Sequence, residues 1–538
     1  MRAFADLLER LVFTASRSAK LRHLERYFAS APDPERGWAL AALADGFETR
    51  YATPAMVRAL VEERVDPTLF RLSYDYVGDL AETVSLIWPA VGSATVTEAK
   101  QAGEAPGLAE VVETLARTGR AERPALLADW LDRLDPSARF ALLKLLMGGM
   151  RVGVSARLAK TALARFGGVE LDRIEEIWFG LTPPYADLFA WLDGRAPPPQ
   201  VDGRLMFRPM MLANPLEEAD LEALAPDAFA AEWKWDGIRV QLAAADGEAK
   251  LYSRTGDEIG ASFPEIAGAA DFHAVLDGEL LIVRDDVVRP FNDLQQRLGR
   301  KRVTRKQLAA HPAHLRVYDM LFEAGEDLRA LPLDARRARL AAFVARANKS
   351  WLDLSPEVPF AAWDDLRAHR GDARDAGIEG LMLKRRDSPY LAGRPKGPWF
   401  KWKRDPLSAD CILMYAQRGH GKRSSFYSDF TFGVWRGEEV TPVGKAYSGF
   451  TDAELRQLDK WVRDHTVDRF GPVRAVSFGL VLEVAFDSLH RSTRHKSGLA
   501  MRFPRISRIR WDKPAAEADR LEALERLIER PAAAPPAE

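Results

Sequence analysis

The sequence predicts a multidomain protein: an all-α N-terminal domain, an α+β domain built on an antiparallel sheet, and a C-terminal β-barrel. Three observations carry this. The chain has 538 residues, more than one hydrophobic core usually organises, and at about 150 residues per domain it divides into three or four. Apolar residues recur at helical spacing up to about 192 and alternate in short runs after about 204. Between the two textures lies Asp193-Gly-Arg-Ala-Pro-Pro-Pro-Gln200, whose helix breakers and stiff prolines mark a linker.

Each element has its own signal. In the first region Thr53-Pro54 precedes Met56, Val57, Leu60 and Val61, a cap followed by proline at the first helical position. Asp135-Pro136 opens a second helix, with Phe140, Leu143 and Met147 expected to form one stripe. Beyond 204, Glu232 to Leu242 alternates, Asp246-Gly247 reads as a hairpin turn, and Ala249 to Ser253 alternates again. Further strand-like runs are Val275 to Val283, Leu315 to Phe322, Gly380 to Lys384 and Trp399 to Lys403, with helical spacing over Arg336 to Ala347. Past Arg404-Asp405-Pro406, the runs Cys411 to Ala416, Phe430 to Trp435 and Val476 to Phe486 surround a helical stretch at Asp452 to His465, as in a small barrel. The expected domains are thus 1–200, 204–404 and 405–514, followed by 515–538, where Glu517 to Glu529 reads as a terminal helix and Pro531 to Glu538 as a disordered tail.

Composition excludes several classes. Hydrophobic residues are 47% and charged residues 29%, ordinary globular usage that rules out a mainly disordered or fibrous chain. Lys and Arg number 77 against 78 Asp and Glu, so any affinity for nucleic acid must come from local patches. The single cysteine, Cys411, forbids an internal disulfide and a cysteine-rich zinc site. No signal peptide or membrane-length apolar run is read from the sequence, and a soluble cytoplasmic protein is expected. No G-x-x-x-x-G-K-[ST] occurs, so ATP would not be held by a P-loop.

The sharpest segment is Glu232-Trp-Lys-Trp-Asp-Gly-Ile-Arg239. On a strand, Glu232, Lys234 and Asp236 would share one face, with Trp233 and Trp235 on the other. A salt-bridged surface strand would use the same residue types, so the segment does not decide function alone. It resembles the nucleotidyltransferase motif of ATP-dependent DNA ligases, RNA ligases and capping enzymes. Five further blocks follow in that family's order: Ser253-Arg-Thr-Gly256, Leu276-Asp-Gly-Glu-Leu280, Val317-Tyr-Asp-Met-Leu321, Glu379-Gly-Leu-Met-Leu-Lys384 and Trp399-Phe-Lys-Trp-Lys403. Arg502-Phe-Pro-Arg505 through Arg510-Trp-Asp-Lys513 resembles the family's last motif, and Val481-Leu-Glu-Val-Ala-Phe-Asp487 its barrel strand. Met150-Arg-Val-Gly-Val-Ser155 is similar to a DNA-binding-domain loop of the larger ligases.

The resemblance implies a bacterial-type, three-domain ATP-dependent DNA ligase: a helical DNA-binding domain, a nucleotidyltransferase domain with an ATP-grasp-like antiparallel sheet, and an OB-fold. RNA ligases and capping enzymes share the core but usually lack the helical region, and NAD-dependent ligases carry a four-cysteine zinc module; a non-catalytic nucleic-acid clamp on the same fold is the alternative from another class. By resemblance Lys234 is the nucleophile that takes AMP from ATP. Glu232 reads the adenine amino group, Arg239 and Arg254 contact ribose and phosphates, and Tyr318 stacks on the base. Glu279 holds ribose or a metal, and Glu379 is the better ligand for Mg²⁺ or Mn²⁺. Lys401 and Lys403 reach the α-phosphate, with Arg394 beside them, and Arg510 and Lys513 orient pyrophosphate. The implied partner is nicked double-stranded DNA, bound by a monomer.

Two other signals are read plainly. His311-Pro-Ala-His314 has no acidic residue or cysteine beside it in sequence and reads as a turn. Gly419-His-Gly-Lys-Arg423 reads as a basic loop. Arg491 to Lys513, with eight Lys or Arg against one acid and a net charge of +7 before histidine, reads as a phosphate-binding run.

Overall fold

The computed structural model describes residues 1–44, 51–89, 105–148, 150–201, 203–372, 377–419, 426–493 and 495–528. The basic residues 420–423 and the tail 531–538 therefore lie outside the described residues. The chain forms two compact units, Met1–Met206 and Phe207–Glu538.

The first unit is helical, and its ends follow the capping chemistry of the sequence. Thr53 Oγ1 accepts the Met56 N–H at 3.2 Å ahead of helix Pro54–Glu62, and Asp135 accepts the Ala138 N–H at 2.9 Å ahead of Pro136–Met147. The single stripe expected on the second helix is not found. Ala138, Ala141, Leu142, Leu143, Leu145 and Leu146 are all buried while Phe140 and Met147 are only partly so, because helices Arg2–Phe13 and Leu80–Ile87 pack against it. The unit also ends later than the proline-rich segment suggests. Arg36 donates to Asp193 at 2.6 Å, and Val201 and Met206 lie against Gly180, so the boundary moves to Met206.

In the second unit the sheets form from β1 (Phe229–Trp235), β2 (Ile238–Ala245), β3 (Glu248–Ser253), β4 (Ala274–Arg284), β5 (Ala313–Glu323), β6 (Ile378–Arg385) and β7 (Trp399–Lys403). One sheet has the order Asn214–Pro215, β7, β6, β1; the other runs β3, β2, β4, β5 and Glu326–Asp327. Asp246 and Gly247 have φ of 53° and 82°, the doubly left-handed turn that matches strand twist in a two-residue hairpin. The run Glu232 to Leu242 is not one strand: it breaks at Asp236-Gly237, and its halves enter different sheets. His314 does meet an acid, Asp353 at 3.1 Å, because the segment Leu352–Leu354 pairs in parallel with β5.

The C-terminal part is β-rich and curled. Its longest strand, Leu407–Arg418, pairs with Tyr427–Arg436 on one side and on the other with Val473–Val476 and Val481–Phe486 in turn, which bends it as a small closed sheet requires. Helix Asp452–Asp464 opens with a reciprocal Thr451–Glu454 capping box. The terminal helix, Leu521–Ile528, is no separate appendage: Leu521 and Leu524 are buried in the same core as Phe430, Phe432 and Leu482. Among the described residues no helix is long and apolar enough to cross a membrane.

Candidate active site at the crossing of two sheets

The chain crosses between the sheets two residues after Lys234, and local sterics fix the crossing. A Cβ on Gly237 would stand 2.4 Å from the Leu280 carbonyl oxygen and 2.8 Å from Glu279 Cγ, so only glycine lets β1 and β2 pass this close to β4. Opposite Lys234 lies Gly380 of β6, while Ile378 faces Trp235, so Glu379 is the extra residue of a β-bulge. Gly380 has a φ of 144°, and a Cβ there would meet the Trp402 oxygen at 2.3 Å. The bulge aims Glu379 at Lys234, whose Nζ donates to Glu379 Oε2 at 2.5 Å.

Glu379 gathers cations. Lys403 Nζ is 3.3 Å from the same oxygen and donates to Asp487 Oδ2 at 2.9 Å. Arg502, in the hairpin Ser488–Arg491 with Leu499–Arg502, stands 3.9 Å from Glu379 Oε1 and is bonded to the Asp236 carboxylate. Burial would raise the Glu379 pKa, but Lys234, Lys403 and Arg502 together hold it down to about 2. The two carboxylates that flank Lys234 in sequence have other partners: Asp236 takes Arg502, and Glu232 takes Lys384 and Arg337.

Further cations face the same place. Burial lowers the Lys401 pKa, and Arg394, Lys403, Lys234 and Arg254 add to the lowering in that order, so four other positive groups gather around Lys401 of β7, which lies across β6 from β1. Glu379 and Asp487 answer two of these five cations, Lys234 and Lys403, and the excess of positive charge that remains is suited to a polyanion. Tyr318 of β5 lies beneath the Lys384 ammonium, 4.2 Å from its ring centroid.

Comparison with known proteins decides what this arrangement belongs to. Residues 210–403 match the ATP dependent DNA ligase domain and 423–513 the ATP dependent DNA ligase C terminal region. The chain is 35% identical over 441 residues to a probable DNA ligase of Koribacter versatilis, covering 77% of this chain and 76% of that one. The chain belongs to the ATP-dependent DNA ligases. A probable DNA ligase of Anaeromyxobacter sp. is 34% identical over 458 residues, covering 81% of this chain and 87% of its own. The solved chain named Pmar-Lig_Pre shares the fold at TM-score 0.59 and 16% identity, across 95% of this chain and 99% of that one. This enzyme is thus a DNA ligase that uses ATP, and DNA is its substrate.

In the ligase the remaining named residues are placed as follows. Arg239 is committed to the fold: it donates to both Asp277 oxygens at 3.0 and 2.6 Å, to the Met211 carbonyl at 2.7 Å and to Tyr390 Oη at 3.2 Å. A guanidinium with four such bonds braces the crossing. Glu279 lies against the crossing, and burial raises its pKa to about 8 despite Lys234 and Arg239. Arg510 and Lys513 find partners within the C-terminal part, both on Asp410 Oδ2, at 3.3 and 2.7 Å. From that same C-terminal motif it is Arg502 that joins the Lys234–Glu379 cluster. Arg502, Asp487 and Lys384 all stand in motif blocks of the sequence, so the signal existed although no role was given to them. Arg337 had no such signal.

Proposed function

We propose that Lys234 is the nucleophile of self-adenylylation. The observation that carries this is the Lys234 ammonium seated on Glu379 among Arg254, Arg394, Lys401 and Lys403. After Lys234 Nζ gives up a proton to solvent, its lone pair attacks the α-phosphorus of ATP in line, and the nitrogen releases a second proton to solvent as the phosphoramidate forms. The N–P bond forms, the bond from α-phosphorus to the oxygen leading to the β-phosphate breaks, and pyrophosphate leaves with that electron pair. AMP then passes to the 5′-phosphate at a nick in duplex DNA, and the neighbouring 3′-hydroxyl displaces AMP to close the strand. Each step spreads charge over phosphoryl oxygens, which the cationic ring neutralises.

Glu232 faces the adenine amino group, Tyr318 stacks on the base, and Arg254, Arg394, Lys401 and Lys403 hold phosphates. Arg510 and Lys513 meet pyrophosphate when the barrel leaves the arrangement seen here. The two parts of the second unit then correspond to a nucleotidyltransferase domain and an OB-fold, and the first unit to a DNA-binding domain of a monomeric, cytoplasmic enzyme. Glu279 fits a divalent cation, because Lys234 and Arg239 do not offset the desolvation that raises its pKa to about 8; Glu379 would share the ion once ATP draws Lys234 away. Mg²⁺ or Mn²⁺ there would neutralise phosphate oxygens. Intact-mass measurement with ATP tests the reading: the parent should gain one AMP and Lys234→Ala none, and matched nicked duplexes should be sealed with ATP but not NAD. A normal AMP adduct on Lys234→Ala would remove Lys234 from its role.

A further inference from the structure

Glu232 is 1% exposed, and its environment decides what it can recognise. Lys384 Nζ donates to its two oxygens at 3.1 and 3.0 Å, and Arg337 Nη1 donates to Oε1 at 2.9 Å. A carboxylate offers about four acceptor positions, so three donated bonds leave it one. The Lys384 ammonium also lies 4.2 Å from the Tyr318 ring centroid, so the carboxylate and the aromatic face share one wall.

Arg337 comes from helix Leu333–Ala347, outside every motif block of the sequence. It is itself fixed in three directions: Nε is 2.6 Å from Glu357 Oε1, and Nη2 donates to the Ser355 carbonyl at 2.6 Å. Glu357 in turn bridges to Glu232 through the backbone, and Ser355 Oγ accepts the Trp235 indole N–H at 3.2 Å. Glu232 is thus held by Lys384 and Arg337, and Glu357 by Arg337 and, at 3.4 Å, by Arg386. The two cations on Glu232 are not equivalent. Burial lowers the Lys384 pKa, whereas a guanidinium does not release its proton in a protein.

We propose that Arg337 is a positioning residue that sets base selectivity, holding Glu232 aimed so that its last acceptor position demands a donor from the base. This rests on the reading of Glu232 as the group that faces adenine. A purine with an amino group at C6 supplies the donor; one with a carbonyl there, as in guanine, sets acceptor against acceptor, and one with hydrogen alone leaves that last acceptor position unpaired. Sites built on such a hydrogen bond discriminate strongly against analogues that lack it.

The test measures rates of AMP-type adduct formation on the full chain with ATP, GTP and purine riboside triphosphate. The parent should prefer ATP to purine riboside triphosphate by about a hundredfold or more, and Arg337→Met should lower that ratio at least about tenfold. A merely structural loss would slow both nucleotides together, so an unchanged ratio in Arg337→Met overturns the proposal. A parent that uses both nucleotides equally well overturns the reading of Glu232 instead, and the proposal with it. Should Arg337→Met fail to fold, Arg337→Lys keeps the charge but cannot span Glu232, Ser355 and Glu357. It should lower the ratio by a smaller factor, and no change there also overturns the proposal.

Discussion

Replacing Gly237 with alanine tests whether the sheet crossing positions Lys234, the proposed nucleophile. The added Cβ would lie 2.4 Å from the Leu280 oxygen, against about 3.4 Å for ordinary contact, so the crossing must open by about 1 Å. It cannot yield toward the side chains either, since Glu279 Cγ and Leu281 Cδ2 stand at 2.8 Å. Overpacking of this kind costs about 1–3 kcal/mol, which a unit of this size survives. Catalysis should suffer more, because Lys234 is three residues away on the same chain and a 1 Å misplacement of a reacting group costs about a hundredfold. Single-turnover adduct formation at saturating ATP, followed by intact mass, reads this directly, with the unfolding temperature as control. A Gly237→Ala protein that adenylylates within about threefold of the parent would show that the crossing does not hold Lys234 in place.

Two other outcomes follow from the geometry. Glu279 has a folded-state pKa near 8 against an ordinary 4.5, so its contribution to stability is complete below the ordinary value and is lost as pH rises through about 8. Glu279→Gln should therefore flatten the fall in unfolding temperature between about pH 5 and 8 in chelator, and an unaltered slope would contradict the assignment. A chain beginning at Phe207, where the second unit starts, should still form the AMP adduct but bind nicked DNA more weakly, with a shallower dependence of log affinity on log salt; equal affinity and slope would deny the helical unit a share in binding.

Much of this was legible before the structure, and what was not has identifiable causes. Strand β7 agrees with its expected run at both ends, and the Asp246-Gly247 turn needed only local chemistry. Glu232 to Leu242 misled because alternation reports a strand's two faces and not which sheet each half joins. Glu379 and Lys234 were both singled out, yet their pairing depends on a bulge that sequence periodicity does not register. Lys384 is 1% exposed, and a lysine carries no sign in sequence that it will be buried beneath rings. Arg337 sat within helical spacing that any solvated arginine would also satisfy.

The bulge at Glu379 has a consequence for how such a site tolerates insertions and deletions. Beyond it, β6 pairs with β1 residue for residue from Gly380 opposite Lys234 to Arg385 opposite Phe229, and Leu381 and Leu383 keep their places in the core. The carboxylate is therefore an inserted residue rather than a member of the ladder. Losing that one position would leave the buried alternation of β6 in phase while removing the partner of Lys234. The chemistry and the sheet that supports it can thus be gained or lost separately, one residue at a time.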